Sequence, residues 1–277
     1  MAILNITPDS FSDGGVLTTP AEALAAARAA LAEGADILDL GGESTRPGAE
    51  AVPADEQIRR VIPAIDAIRR AGIDAPITID TTSAEVAAAG LDAGADAVND
   101  VSAGLGDPAM LGLIADRRVG VVLMHRRSSP REDRFSHLRA DEPDYGPAGV
   151  LAAVREYLDE RARAAVAAGV GSERIALDPG LGFGKSVRQN YALIAGTREI
   201  VDLGHPVVAA SSRKSFLGAV SGSENPVDRG IESVAAAVLQ RWGGAGVFRV
   251  HDVAEHRRAL AVADEAIAAA GICGWSG

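Results

Sequence analysis

The chain of 277 residues carries one cysteine, Cys273, so no intramolecular disulfide can form and nothing speaks for an oxidising compartment. It has no basic surplus: 27 lysine and arginine residues face 38 acidic ones, for a formal net charge of -11. Nucleic-acid backbones are bound by clusters of cations, so this deficit excludes a nucleic-acid partner, and a small anionic ligand would need a local cationic pocket. No run of 18 or more apolar residues occurs, and no basic segment followed by an apolar one opens the chain. The expectation is a cytoplasmic protein with no membrane partner and no targeting segment. Lysine is nearly absent as well. Only Lys185 and Lys214 occur, and in so arginine-rich a background a compact ammonium marks a tight space that a planar guanidinium does not fit.

What is present is a repeating grammar of apolar run, polar loop and alanine-rich helix. Strands are predicted at residues 2–5, 35–40, 77–80, 97–100, 119–124, 174–178, 206–210 and 246–250. Helices are predicted at 20–33, 55–70, 84–91, 108–116, 147–168 and 254–269, with more helix after the seventh strand. Residues 126–146 break the rhythm, being charged and without periodicity, and read as a long, mobile, solvated loop. Eight strands alternating with helices predict one α/β domain over 1–277, a (β/α)8 barrel. A doubly wound sheet is the competitor, but it would gather its chemistry at one switch point; here polar residues follow nearly every strand.

The residues at those strand ends sort by chemistry. Asp80, Asn99, Asp178 and Lys214 suit a flat, nitrogen-rich heterocycle, because a carboxylate accepts two N–H groups from an amidine-like edge. Arg46, Arg249, His251 and Asn5 suit a diphosphate, with Asn5 able to share a divalent cation with its oxygens. Asp9, Thr45, Asp100, His125 and Lys185 stand at the same level. Each has a plainer reading: Asp80 as the cap of the next helix, His125 as a satisfied histidine, Glu43 as a partner for Arg46. Gly180-Leu-Gly-Phe-Gly-Lys185 lacks the spacing of a P-loop, and no His, Cys and Asp set has zinc spacing. Together the positions read as a site for a heterocycle and a polyphosphate at once.

The same segments resemble the dihydropteroate synthase family. Asn5-Ile-Thr-Pro-Asp-Ser-Phe-Ser-Asp-Gly-Gly15, Asp39-Leu-Gly-Gly-Glu-Ser-Thr-Arg-Pro-Gly48, Ile79-Asp-Thr81, Asn99-Asp100 and Leu123-Met-His125 look like its motifs. Leu177-Asp-Pro-Gly-Leu-Gly-Phe-Gly-Lys185, Ser212-Arg-Lys-Ser215 and Arg249-Val-His-Asp252 continue them in the family's order. The resemblance implies a TIM barrel, a homodimer, that joins 6-hydroxymethyl-7,8-dihydropterin diphosphate to 4-aminobenzoate and releases pyrophosphate in folate biosynthesis. It implies that Asp80, Asn99, Asp178 and Lys214 hold the pterin, with Met124 packed nearby. Asn5, Arg249 and His251 would hold Mg²⁺ and pyrophosphate. Thr45, Arg46, Pro47, Phe183, Lys214 and Ser215 would form the aminobenzoate side, where sulfonamides compete. Asp9 and Arg46 would close over the pyrophosphate.

A good leaving group, a ring that delocalises positive charge and a weak aniline nucleophile imply C–O cleavage before capture. The work of Asp9, Arg46, Asp178, Lys214, Arg249 and His251 is then electrostatic, with no protein nucleophile. Two departures from the family pattern stand. Members commonly carry residues ahead of the first strand, which here starts at the first residues, so either the natural chain is longer or that barrel end is open. Ala210 stands where glycine is common and is expected to crowd the pterin floor. Two other readings compete. A pterin-binding methyltransferase has no use for the cations Arg46, Arg249 and His251, and a non-catalytic paralogue would have lost parts of the first two loops, which keep Asp9, Phe11, Asp13, Thr45 and Arg46.

Overall fold

The computed structural model describes residues 1–7, 17 and 19–271; Asp9, Phe11, Asp13 and Cys273 lie outside the described residues. Six parallel strands, β1 (Ala2–Asn5), β2 (Leu38–Gly41), β3 (Ile77–Asp80), β4 (Ala97–Asp100), β5 (Gly120–Met124) and β6 (Ile175–Asp178), pair in chain order. β7 (Val208–Ala209) pairs with β8 (Val247–Phe248). Two further bridges close the ring, Leu177 with Val207 and Ala2 with Val250. At the second, Ile3 donates its amide to Val250 O at 3.0 Å and Val250 donates to Met1 O at 3.0 Å. First and last strands therefore meet, which an open doubly wound sheet does not allow, and the fold is the expected barrel. β7 and β8 are shorter than predicted because their flanks bond singly rather than as a ladder, as in Leu177 N–H to Pro206 O at 2.8 Å.

The outer ring comprises α1 (Pro20–Ala32), α2 (Ala54–Arg70), α3 (Ala84–Asp92), α4 (Met110–Arg117), α5 (Gly149–Ala167), α6 (Val187–Ala195), α7 (Thr197–Val201), α8 (Ser215–Ser221), α9 (Gly230–Trp242) and α10 (Val253–Ala269). Their starts follow local chemistry. Thr19 and Glu22 exchange backbone and side-chain bonds in a capping box ahead of α1, with Pro20 in its first turn. Ser83 accepts from Val86 N–H, and Asp107 accepts from Ala84 N–H at 2.9 Å. Asp80 is therefore not needed to cap α3. Among the described residues no helix is long and apolar enough to cross a membrane.

Strand alternation divides the side chains between two environments. Leu38, Leu40, Ile77, Ile79, Leu123 and Leu177 pack into the core shared with the helices, each contributing about 1.5–3 kcal/mol by burial. The alternate positions, Asp39, Thr78, Asp80, Asn99, Met124 and Asp178, are buried too but belong to the barrel interior.

Most of residues 126–146 are exposed, as expected of a solvated loop, but the segment also holds local structure. The segment folds into 3-10 turns at Pro130–Glu132 and Ser136–Leu138. Asp133 is buried, pairs with Arg139 and accepts the Gly184 amide at 2.8 Å. The Tyr145 hydroxyl donates to Gly184 O at 3.0 Å, and Gln189 Nε2 donates to Pro143 O at 2.6 Å. These few polar residues bind the loop after β6 and the start of α6, and such bonds leave no hydrophobic period to read.

Candidate active site

Strand register sets the floor of the site. Asp80 stands between Gly41 and Asn99, and Met124 stands beside Asp178, all at the ends of strands that lead into the polar loops. Arg249, just past β8, donates Nε–H to Asp39 Oδ2 at 2.6 Å and Nη2–H to Asp80 Oδ2 at 2.7 Å. Asp39 is 0% exposed and also receives the Thr78 hydroxyl at 2.5 Å and the Asn99 amide at 3.4 Å. The remaining oxygen of Asp80, Oδ1, is buried without a partner, a state that costs about 1–3 kcal/mol. Burial pushes the Asp80 carboxyl up to about 7, although Arg249 opposes the shift. Arg249 thus joins the residues expected for the diphosphate to those expected for the heterocycle.

Asp39 is a site residue that sequence reasoning missed. Its signal is alternation: between the outward Leu38 and Leu40, a carboxylate has only the barrel interior to enter.

Asp178 combines the plain and the functional readings. Its Oδ1 accepts the Gly180 amide at 2.7 Å, shaping the turn, and burial raises its carboxyl while Lys214 opposes the rise. The Lys214 ammonium donates to Leu181 O and lies 4.8 Å from the Phe183 ring centroid. Burial lowers it to about 8, with Asp178 acting against.

Lys185 has another task. It is 0% exposed, donates to Gly180 O at 2.8 Å and Phe183 O at 2.9 Å, and lies 3.0 Å from His125 Nδ1. Burial takes Lys185 down to about 7, and burial together with Lys185 takes His125 down to about 2, so the imidazole is neutral. The pair knots the loop after β6. Asp100 is equally structural, accepting from Ser102 N–H, its hydroxyl and Gly104 N–H.

Above this floor lies a cavity of about 310 Å³, within the range of small-molecule sites. Thr45, Arg46, Pro47, Phe183, Lys214 and Ser215 line it together with Asn5, Arg249 and His251. Asp80, Asn99, Met124 and Asp178 do not line it and are buried; Arg249 connects the two levels. Ala210 is buried at the end of β7 and does not line the cavity either. Among the described residues, Arg46, Arg213, Lys214, Arg229 and Arg249 line the space with one carboxylate, Glu43, while Arg213 is also paired with Asp252 and Arg249 with Asp39 and Asp80. Glu43 itself staples the loop after β2, accepting Val52 N–H at 2.8 Å and the Gln57 amide at 3.4 Å.

His251 Nδ1 lies 3.0 Å from Ser212 Oγ. Burial, then Arg213 and Arg249, hold the ring down at about 3. Burial is the main reason that the ring is neutral; Arg213, Arg249 and Arg46 act in the same direction and Asp252 against them.

The pattern of the family described as "Pterin binding enzyme" matches residues 1–251. A dihydropteroate synthase of Synechocystis sp. is 40% identical over 264 residues, covering 95% of this chain and 88% of that one. The chain belongs to the dihydropteroate synthase family. A family member from Xanthomonas albilineans, solved with 4-aminobenzoic acid, superposes with a TM-score of 0.85 at 46% identity, over 97% of this chain and 92% of that one. A Yersinia pestis member, solved as a sulfonamide drug complex, gives 0.88 at 35% identity, over 97% and 94%. A Haloferax volcanii relative, named "Probable bifunctional folylpolyglutamate synthase/dihydropteroate synthase", is 44% identical over 95% of this chain, which spans only 30% of that longer protein.

Proposed function

We propose that this chain transfers the dihydropterin-methyl group of 6-hydroxymethyl-7,8-dihydropterin diphosphate to 4-aminobenzoate, releasing pyrophosphate. The observation that carries the reading is Arg249, which lines a cationic cavity fit for a diphosphate and at the same time contacts a buried carboxylate with an unpartnered oxygen fit for a ring N–H. Asp80 and Asp178 accept ring N–H groups, Asn99 and Lys214 complete the edge contacts, and Met124 packs beside them. As the ring takes Asp80, Arg249 keeps its Nε–H on Asp39 and turns Nη2 toward the diphosphate. With the Ser212 hydroxyl as donor to His251 Nδ1, the ring proton would stand on Nε2 as a donor to the departing oxygens. Arg46 adds a planar cation, and the role expected of Asp9 falls outside the described residues. Thr45, Pro47, Phe183 and Ser215 hold the aryl amine.

The family implies Mg²⁺, and the donor chemistry fits. Asn5 offers a neutral amide at the cavity wall, and among the described residues no group of three His, Cys, Asp or Glu could hold an ion alone. Asn5 would hold the ion together with oxygens of the substrate. When bound it neutralises part of the charge on the diphosphate.

Asp80 must be ionised to accept ring N–H groups, so binding of a pterin analogue expels a proton from a carboxyl that sits at about 7. Affinity is expected to rise roughly tenfold or more from pH 5.5 to 7.5 and to level off above. Calorimetry in two buffers of different ionisation enthalpy measures both quantities; a flat or falling affinity contradicts the assignment.

Cleavage of C–O before capture predicts that bridging ¹⁸O in the diphosphate scrambles into non-bridging positions when enzyme, Mg²⁺ and labelled substrate are incubated without aminobenzoate. Retention of the label, with a rate steeply dependent on aniline basicity, indicates direct displacement.

A homodimer through α9 completes the reading. Ile231, Leu239 and Trp242 are exposed and fall within about 80° of each other around the helix, an apolar stripe that calls for cover. Light scattering is expected to give about twice 28.3 kDa; a monomer at micromolar concentration refutes this. A cytoplasmic location belongs to the same reading, and cell fractionation tests it.

A further inference from the structure

One aromatic ring in the cavity has no role so far. Phe135, on the segment between β5 and α5, lines the same space as Pro47, Phe183 and Lys214 and keeps 36% of its surface exposed. The segment that carries it is tied to both walls of that space. Next to it, the buried Ser136 accepts from Asn190 Nδ2 at 3.1 Å, while Asn190 Oδ1 accepts the Gly182 amide at 2.6 Å. Two residues before it, Asp133 accepts the Gly184 amide at 2.8 Å. Gly182 and Gly184 flank Phe183, so the two phenylalanines are carried by loops bonded as one unit. On the other side, Gly48 donates to Pro130 O at 2.8 Å, which ties the segment to the loop of Thr45, Arg46 and Pro47. A segment anchored to both walls of a cavity, with a part-exposed aromatic residue in its lining, is built to be covered by a flat ligand.

We infer that Phe135 is an outer wall of the aryl-amine subsite and a specificity-determining residue for flat anilines; the inference rests on the reaction proposed above. An arene pressed on this ring gains stacking and buried area, while the dihydropterin diphosphate, held below and by the cations, gains nothing from it.

Phe135→Ala is therefore expected to raise KM for 4-aminobenzoate about 5- to 20-fold, with KM for dihydropterin diphosphate and kcat within about twofold of the starting protein. Phe135→Tyr keeps the ring face and restores the aminobenzoate KM. An unchanged aminobenzoate KM in the alanine variant, or equal rises in both KM values, overturns the wall. Binding of 4-aminobenzoate by ligand-observed NMR, to the starting protein and to both variants, separates this inference from the reaction. If the starting protein releases no pyrophosphate, the reaction assignment fails, and weaker binding to Phe135→Ala alone still upholds the wall. Equal binding by all three, or binding by none, overturns it.

Discussion

Gly180→Ala is expected to destabilise the protein by about 3 kcal/mol or more and to abolish turnover. Gly180 takes φ +66°, and a Cβ there would lie 1.9 Å from the carbonyl oxygen of His125 and 3.3 Å from Met124 Cγ. The left-handed conformation alone costs an alanine about 1–2 kcal/mol. The clash is worse, because its partner is backbone and cannot turn aside. That backbone is fixed from several directions: His125 donates its amide to Asp178 O at 3.0 Å, Gly180 donates to Asp178 Oδ1, and the Gly180 carbonyl receives the Lys185 ammonium. Relief of the overlap must move Asp178 from the place proposed for it at the pterin edge or shift Phe183 and the carbonyl that holds Lys214. A melting temperature lower by roughly 6 °C or more is expected for a chain of this size, with pyrophosphate release lost. A variant that melts and turns over like the starting protein would show that the loop after β6 does not position the floor.

Lys214→Arg is expected to lower kcat/KM at least 100-fold, about 2.7 kcal/mol of transition-state stabilisation, while leaving the fold intact. The lysine stem passes close over Gly182: a Cβ added there would stand 3.0 Å from Lys214 Cδ. The ammonium reaches Leu181 O beside the face of Phe183. A guanidinium is longer, planar and forked, and it cannot enter between that carbonyl and that ring without displacing one of them. It would also hold its proton permanently, whereas burial brings the ammonium of Lys214 to about 8. Turnover, calorimetry with a pterin analogue and a thermal melt together decide the matter. Near-normal turnover and binding would mean that any cation serves there.

The barrel was legible because its signal is short-range and repeated: eight short, mostly apolar runs alternate with polar loops and helices. The outer site was legible for a related reason. Thr45, Arg46, Pro47, Phe183, Lys214, Ser215 and His251 sit in compact loop motifs, and closure of the ring brings those loops to one cavity. Pairing across the barrel was not legible. Arg249 and Asp39 are 210 positions apart, and nothing local to either indicates that they meet. The two lysines looked alike in sequence, each in a glycine- or serine-rich loop, yet Lys185 turns back onto its own loop while Lys214 faces the cavity. The difference depends on which carbonyls the loop geometry presents, a property of the fold. Residues 126–146 hid their order for the same reason: Asp133 and Ser136 are held by single bonds to Gly184 and Asn190, and such bonds carry no periodicity.

The most direct test of the central claim is pyrophosphate release by the purified protein, followed with a coupled phosphate assay in the presence of Mg²⁺ and 6-hydroxymethyl-7,8-dihydropterin diphosphate, with and without 4-aminobenzoate. The predicted result is sustained release that requires 4-aminobenzoate, saturates with it and yields one dihydropteroate per pyrophosphate. Release that is indifferent to 4-aminobenzoate, or no release under conditions where a pterin analogue binds, would contradict it.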